Sequence, residues 1–508
     1  SRLTGSTTES QAWRYVTVLF TDLSDSTHLS GAMEAEVYAD MLDQLRQAFV
    51  EAVIRHGGTV NQYQGDGLQA LFGYPLASEN DGQHAVRAAL EVHDRVRDMR
   101  KRFAGLGAPD LTVHSGVHAG PLLTRDGGGV AGRVELFGPA PGLAKHLSDL
   151  AEADHILVSE ETLGPVHLFF QTQDRRAVVL KGRHGALVVH RVVGRTALRT
   201  RFEAHARRGL IPFIGRQDEL LRLLRMLDNA CSGSTAFAAI SAAPGVGKTR
   251  LAEECMHRAA QSGWAVQRGH CEDGLSAEPL QSFRQMLRQL FSLQVNEDSE
   301  VSASRMEQAL AELDPQPPAH WAALRQLLSL PVDDAPAQPL PETLQGALCG
   351  LFAALARRRP QLLFIDDWQW SDETTRQVAA ALRQLQGVSI VLLVTTRPLD
   401  RADAALIGAD VIELRPFSEI ESRWSVARLL PQADPFVMDA ICQQSGGNPL
   451  YIEELCHSCV RDNAVTDATT AKPGPAWLET LIASRVARLP TDQIELLQAC
   501  AVIGNLVP

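Results

Sequence analysis

No stretch of this chain is long and apolar enough to span a bilayer, and its first residues, SRLTGSTTESQAWRY, hold no apolar core of signal-peptide type. No cysteine precedes Cys231, and Cys456 and Cys459, which stand three apart, have no second pair with which to complete a tetrahedral metal set. A disulfide framework and a structural zinc are thereby set aside, and reduced thiols in a cytoplasmic protein are the expectation. Basic excess is missing too: the 508 residues carry 48 Lys+Arg against 60 Asp+Glu, a net charge of −12, so no broad nucleic-acid surface is expected. There is no internal repeat and no coiled-coil heptad, which removes solenoids and rods. What remains is globular in composition, 45% hydrophobic and 21% charged, and long enough for about three domains that fold without staples.

The chain divides by its patterns. A polar segment, 1–12, precedes a unit at 13–194; a basic linker, 195–210, with Arg199, Arg201, Arg207 and Arg208, leads to a second unit at 211–414. Helical patterns dominate 415–508, which stops in an apolar segment without a terminator, so the helical region is expected to run on. In the first unit 13-WRYVTVLFTDLSDSTHLS-30 reads as a strand ending in a polar loop. Helical periodicity follows over about Glu34 to Arg55 and Asp81 to Arg102, with a short helix near Leu143 to Ala151. Strands are expected in 111–120, 131–138 and 155–160, with a hairpin over 176–193. Mixed strands with helices packed on a face make this an α+β or α/β sandwich. The second unit alternates buried-looking strands at 235, 361 and 388 with loops and helices, the rhythm of a parallel α/β nucleotide-binding domain. The Pro/Asp-rich stretches 314–320 and 331–341 read as loops inside it.

Two stretches carry phosphate chemistry. In 242-AAPGVGKT-249, Gly245 and Gly247 permit a tight loop whose N–H groups converge on phosphate, Lys248 reaches the β- and γ-phosphates, and Thr249 ligates Mg²⁺. The full pattern asks for glycine where Ala242 stands, and a methyl there is expected to tighten the loop. Four apolar residues then deliver Asp366 and Asp367 to a strand end, where a carboxylate pair is costly unless solvated or metal-bound. Asp366 is assigned to Mg²⁺, Asp367 to polarising an attacking water, and Arg397, at the end of the next strand, to sensing the γ-phosphate or to a surface pairing role. Trp368 and Trp370 read as packing.

The other stretch is 60-VNQYQGDGLQALFGYP-75, a hairpin with Asp66 at its tip. Asp22 ends the strand VTVLFTD. Two strand-end carboxylates can hold divalent cations against triphosphate; a helix cap at Asp22 and a turn residue at Asp66 account for the same aspartates. His114 and His118 alternate on HSGVH and, lacking a third ligand, read as core or surface histidines.

LFTDLSDSTHLS, HGGTVNQYQGDGLQALFGYP, HSGVHAG and FGPAPGLAKHL resemble, in order and spacing, a class III nucleotide cyclase domain across about 13–194. IGRQDEL at 214–220, the P-loop, the paired aspartates with Trp370 and Asp372, and Gly-Asn-Pro-Leu at 447–450 resemble the regulatory P-loop ATPases called STAND proteins. Together they look like the soluble-adenylyl-cyclase-like architecture of bacterial cyclases. The resemblance implies an α/β multidomain chain: a ferredoxin-like cyclase domain, a parallel α/β P-loop NTPase domain and a C-terminal helical region. It also implies Mg²⁺ or Mn²⁺ and ATP as cofactors, and dimerisation through the cyclase domain, as a homodimer or with an active cyclase domain as heterodimer partner.

In that family one domain supplies metal aspartates, matched by Asp22 and Asp66, and its partner supplies the base-reading and transition-state groups. The base-reading lysine falls at Gln62, the second base-reading residue at Glu135, the ribose-positioning asparagine at Gly142, and the phosphate-stabilising arginine at His146. Asp25 stands in the phosphate-facing loop where the family has glycine. The resemblance therefore implies metal or nucleotide binding with weak or absent cyclisation, beside a slow Mg-dependent ATPase. The alternative is an unconventional adenylyl or guanylyl cyclase in which Gln62 and Glu135 read the base by hydrogen bonds.

Overall fold

The computed structural model describes residues 11–75, 80–106, 108, 110–126, 134–179, 186–196, 212–271, 279–293, 299–313, 321–330, 340–398, 409–462 and 493. Residues 1–10, most of the basic linker, the Pro-rich stretches 314–320 and 331–339, and the helical extension beyond 462 lie outside the described residues. The described chain forms two compact units. No helix among the described residues is long and apolar enough to cross a membrane.

The first unit runs β1 (Gln11–Leu23), α1 (Ser26–Ala32), α2 (Ala35–Arg55), β2 (Thr59–Gln64), β3 (Gly67–Phe72), α3 (Asp81–Phe103), β4 (Val113–Asp126), β5 (Val134–Phe137), α4 (Ala140–Leu150), β6 (Ile156–Ser159), α5 (Glu160–Leu163), β7 (Phe170–Val178) and β8 (Leu187–Arg195). Its sheet has the order β2-β3-β1-β4-β6-β8-β7, with β5 on β4 and only β4–β6 parallel. The β2-β3-β1-β4 core is a ferredoxin-like βαββαβ arrangement. The expected polar loop after β1 is only two residues long: Asp25 takes φ 52° and α1 begins at Ser26, burying Leu29.

Alternation along β1 decides which residues meet which layer. Leu19 and Leu23 face the α2–α3 layer with Phe49, Val53, Val86 and Val92, whereas Val16, Val18 and Phe20 face α4 through Ala140 and Ala144. Gly116 on β4 lies directly beneath α4: a Cβ there would sit 2.1 Å from the Ala144 carbonyl and 2.3 Å from the Ser148 nitrogen.

The second unit runs α6 (Gln217–Ala230), β9 (Thr235–Ser241), α7 (Lys248–Gln261), β10 (Ala265–His270), α8 (Gln281–Leu290), α9 (Ser299–Leu313), α10 (Trp321–Leu327), α11 (Pro341–Arg358), β11 (Gln361–Asp366), α12 (Glu373–Arg383), β12 (Ile390–Thr396), β13 (Asp410–Glu413), α13 (Glu419–Leu429), α14 (Pro435–Ser445) and α15 (Pro449–Asp462). All five strands are parallel, in the order β10-β11-β12-β9-β13, with apolar clusters on both faces. Pro341, expected to close a loop, instead opens α11, where its missing N–H costs nothing. Helices α13–α15 gather around their own small core of Val426, Ile441, Ile452 and Cys456.

G116A should lower the stability of the first unit by about 1–3 kcal/mol, because the new methyl meets helix backbone that cannot give way without moving α4. Thermal melting checks this; an unchanged melting temperature would mean that α4 is not seated as described.

Candidate functional site

In the second unit β9 delivers the chain into the loop 242–247, and α7 carries it away. Gly245 and Gly247 take φ of 82° and 100°, which glycine alone adopts without strain. Ala242 is not among the positive-φ residues, and its methyl is buried in the apolar cluster that holds Val246 and Leu251. Lys248 is buried, its Nζ donating to the carbonyls of Ala242 (2.9 Å) and Ala243 (3.2 Å), so the ammonium arches back over the loop.

The Thr249 hydroxyl donates to both Asp366 carboxylate oxygens at 3.2 Å, and the Thr395 hydroxyl on β12 donates to the same carboxylate. Burial, then the neighbouring Asp367 charge, push the Asp366 carboxyl up to about 6, against these hydrogen bonds. A hydroxyl and a buried carboxylate already in contact make a donor set that fits hydrated Mg²⁺. Asp367 is exposed in the left-handed region (φ 56°), its N–H donating to the Thr395 hydroxyl at 3.1 Å. Gln369, which no sequence motif singles out, joins Asp367 to Arg397. Its Nε2 donates to Asp367 at 2.9 Å, and its Oε1 accepts from the Arg397 N–H at 3.1 Å. The Arg397 guanidinium lies 5.7 Å from the Trp370 ring centroid, so Trp370 is a cation–π platform as well as packing. Trp368 does pack, edge-on to Phe237 at 6.0 Å.

The Gly-Asn-Pro-Leu segment grips the phosphate loop from α15. Asn448 Nδ2 donates to the Pro244 carbonyl at 3.1 Å, and the Leu450 N–H donates to the Gly245 carbonyl at 3.3 Å. A Cβ on Gly245 would meet Asn448 Oδ1 at 2.6 Å, so Gly245 is needed for this approach as well as for its φ. The leading Gly215-Arg216 pair is tied to the same region: the Arg216 guanidinium lies 5.3 Å from the Phe417 ring centroid and donates to the Arg415 carbonyl.

In the first unit Asp22 lies where β1 leaves the sheet, paired in register with His114, and Asp66 lies in a two-residue tip closed by the pairing of Gln64 with Gly67. Asp22 does not cap a helix; Asp25 holds that position. Burial first and the Asp66 charge next raise the Asp22 carboxyl above its ordinary value, as does Asp149, opposed by the Leu23 N–H and His114. A carboxylate raised by a second carboxylate beside it suits a cation between the two. Ser24, in the loop that follows, has a buried hydroxyl with no hydrogen-bond partner among the described residues. Asp25 is exposed with a left-handed backbone, the conformation that a glycine would take without strain.

Gln62 and Glu135 stand on β2 and β5. Asn61 links those strands: its Nδ2 donates to Gln69 at 3.0 Å and its Oδ1 accepts from the Val134 N–H at 3.1 Å, at a register shift between Val60 and Gln62. Glu135 pairs with Arg125 at 3.8 Å. Gly142 and His146 both lie exposed on α4, four residues apart on one face, and nothing stands within 4 Å of where a Gly142 Cβ would be. His118 is buried, its Nδ1 2.8 Å from the Ser159 hydroxyl.

Residues 8–194 match the family described as adenylate and guanylate cyclase catalytic domain, and residues 212–394 match the AAA ATPase domain family. The chain joins a class III cyclase homology domain to an AAA-type ATPase domain. Across 99% of its length it is 28% identical to an uncharacterised protein of Rhizobium meliloti (strain 1021), covering 50% of that protein. It is also 28% identical to adenylate cyclase 1 of the same organism, over 36% of this chain and 28% of the relative. It is 26% identical to an adenylate cyclase of Anabaena cylindrica, over 35% of this chain and 37% of the relative. The chain thus spans half or less of the length of these relatives. Among solved structures, the guanylyl cyclase Cya2 is matched over 37% of this chain and 95% of its own at 24% identity, with a TM-score of 0.35. The adenylyl cyclase CyaB from P. aeruginosa is matched over 37% and 98%, also at 24% identity and a TM-score of 0.35.

Two outcomes follow from the carboxylates. A raised carboxyl value means that the charged form is disfavoured in the fold, so the strain at Asp22 is present above the folded value and relieved as pH falls through it. D22N should therefore melt above the unsubstituted chain at pH 7 to 8 without metal, the gap closing in acid or with saturating Mn²⁺, which helps only the chain that keeps Asp22. In the ATPase domain the metal-accepting form of Asp366 dominates above about 6, so Mg-ATP affinity should fall as pH drops from 7 to 5. Calorimetric titration reads it; a flat profile would contradict the assignment of Asp366.

Proposed function

We propose that the chain is an ATP-dependent signalling switch of STAND type acting in the cytoplasm, with a cyclase homology domain that binds a metal–nucleotide complex and dimerises while cyclising it weakly or not at all. The observation that carries the switch is the grip of Asn448 and Leu450 on the carbonyls of the phosphate loop. A triphosphate drawing Lys248 away from Ala242 and Ala243 alters the loop those residues hold, so occupancy is passed to the helical region. Lys248 neutralises the β- and γ-phosphates, and Thr249 and Asp366 hold Mg²⁺. Asp367, kept in place by Gln369, orients water, and Arg397 answers to the γ-phosphate. A regulatory rate is favoured over rapid turnover because the Asp367 carboxylate is tied to Gln369 and the Arg397 guanidinium to the Trp370 ring.

In the cyclase domain Asp22 and Asp66 would hold a divalent cation, which would supply charge neutralisation to a triphosphate and lower the pKa of a hydroxyl beside it. Gly142 and His146 argue against efficient cyclisation. Loss of one placed donor to developing phosphoryl charge costs about 3 kcal/mol, roughly 10²–10³ in rate. No neighbour stands near Gly142 to replace an amide, and a homodimer repeats both deficits.

The second reading, an unconventional cyclase, is favoured by the mutual charge of Asp22 and Asp66 and by the Asn61 link between the strands that carry Gln62 and Glu135. A partner domain carrying the asparagine and arginine would complete it.

A product assay with ATP and GTP, each with Mg²⁺ and Mn²⁺, separates the two. The switch predicts slow release of inorganic phosphate, abolished by K248A, and negligible cyclic nucleotide. Cyclic product that disappears in D66A but persists in K248A would establish the second reading. N448A is expected to speed nucleotide release several-fold in stopped flow, since it cuts one of the two holds on the loop; an unchanged rate would remove the coupling.

A further inference from the structure

Behind Asp22, on the opposite face of β1, runs a buried chain of hydrogen bonds that neither the metal site nor the nucleotide site uses. Thr21 Oγ1 lies 2.8 Å from Ser115 Oγ, Ser115 Oγ lies 2.9 Å from His93 Nε2, and His93 Nδ1 lies 3.2 Å from Asp154 Oδ1. It spans β1, β4, α3 and the turn before β6. Thr21 and Ser115 are register partners, one step from the pair Asp22 and His114. Arg97 Nε, 3.5 Å from Asp154 Oδ2, supports the far end.

Ser115, His93 and Asp154 have the connectivity of a nucleophile, base and orienting acid, but Ser115 is 0% exposed, so no substrate reaches its hydroxyl. The chain has a directional logic instead. Burial holds His93 below its ordinary value and therefore neutral, and Asp154 is held ionised by His93 and the nearby arginines against its own burial. His93 then donates from Nδ1 to Asp154 and accepts at Nε2 from the Ser115 hydroxyl. Ser115, its proton committed to His93, accepts from Thr21. Each donor has one acceptor, so the strand end is fixed from behind.

The end of β1 stays paired with β4 through Asp22–His114 and Leu23–Val113 although Asp22 meets the like charges of Asp66 and Asp149, so the hydrogen bonds of its neighbour Thr21 help fix where Asp22 stands. We infer that His93 is a positioning residue for Asp22, acting through Ser115 and Thr21 to hold the end of β1 in the geometry that accepts a divalent cation. The inference rests on the reading of Asp22 as a metal ligand.

The test uses the full chain in a T249A/D366N background, which removes both proposed metal donors of the ATPase domain, and measures Mn²⁺ affinity by electron paramagnetic resonance. D22N tests the underlying reading: if it binds Mn²⁺ as tightly as the parent, the metal assignment falls. His93 is then replaced in two ways. H93Q keeps an acceptor near the Nε2 position and can still take the Ser115 proton; H93N keeps a group near Nδ1 for Asp154 and loses Ser115. H93N is expected to weaken Mn²⁺ binding roughly 10-fold and H93Q no more than about 2-fold, in line with the effect of residues that orient ligands. T21V, which keeps the branched shape and cuts the last link, should match H93N. Amide hydrogen exchange over residues 19–23 without metal gives a second readout, faster in H93N and T21V than in H93Q. If D22N loses Mn²⁺ while H93N and H93Q bind alike, whether tightly or weakly, the inference is overturned and the metal site stands.

Discussion

Carboxylates brought to strand ends before any cation is present are the constraint around which both domains are built. Asp22 and Asp66 crowd one another in the cyclase domain, and Asp366 and Asp367 do so in the ATPase domain, where Asp366 is buried and pushed up to about 6. Keeping such groups in place takes fixed partners around them. In the ATPase domain these are hydroxyls from two other elements, Thr249 and Thr395; in the cyclase domain the strand is braced from its far face by Thr21, Ser115 and His93. The same charge imbalance that costs stability in the free protein is the basis on which we propose that each site takes a metal–nucleotide complex.

Sheet alternation makes this division possible. Along β1, even positions meet α4 and the hairpin tip, and odd positions meet α2 and α3, so Asp22 can be offered to a ligand while its neighbour Thr21 is bonded inward. Gly116 serves the same arrangement by letting α4 approach close enough to carry Ser148 and Asp149 towards Asp22 and His114.

Much of both sites was legible because the signals are local. A strand ending in Asp22, a Gly-Asp-Gly tip, and glycines at 245 and 247 before Lys248 each declare themselves within a few residues. What the sequence could not display is whatever depends on register or on distant segments meeting. Thr395 reaches Asp366 only because β11 and β12 are adjacent and parallel, and Gln369 joins Asp367 to Arg397 only through a short turn. His114 lies opposite Asp22 by strand pairing, and Asn448 reaches a loop 204 positions away. The helix at Ser26 is hidden in the sequence because its start depends on the left-handed Asp25, which propensity does not reveal. The domain signatures were legible in outline, and the family matches at 8–194 and 212–394 agree with them.

The proposal that the cyclase domain binds nucleotide through Asp22 and Asp66 is tested by calorimetric titration of a non-hydrolysable Mn²⁺–triphosphate analogue into the K248A chain, in which the proposed ATPase site is disabled. The account predicts one remaining binding event per chain, lost when D66N is added. Binding that is absent from K248A alone, or that survives D66N unchanged, would contradict it.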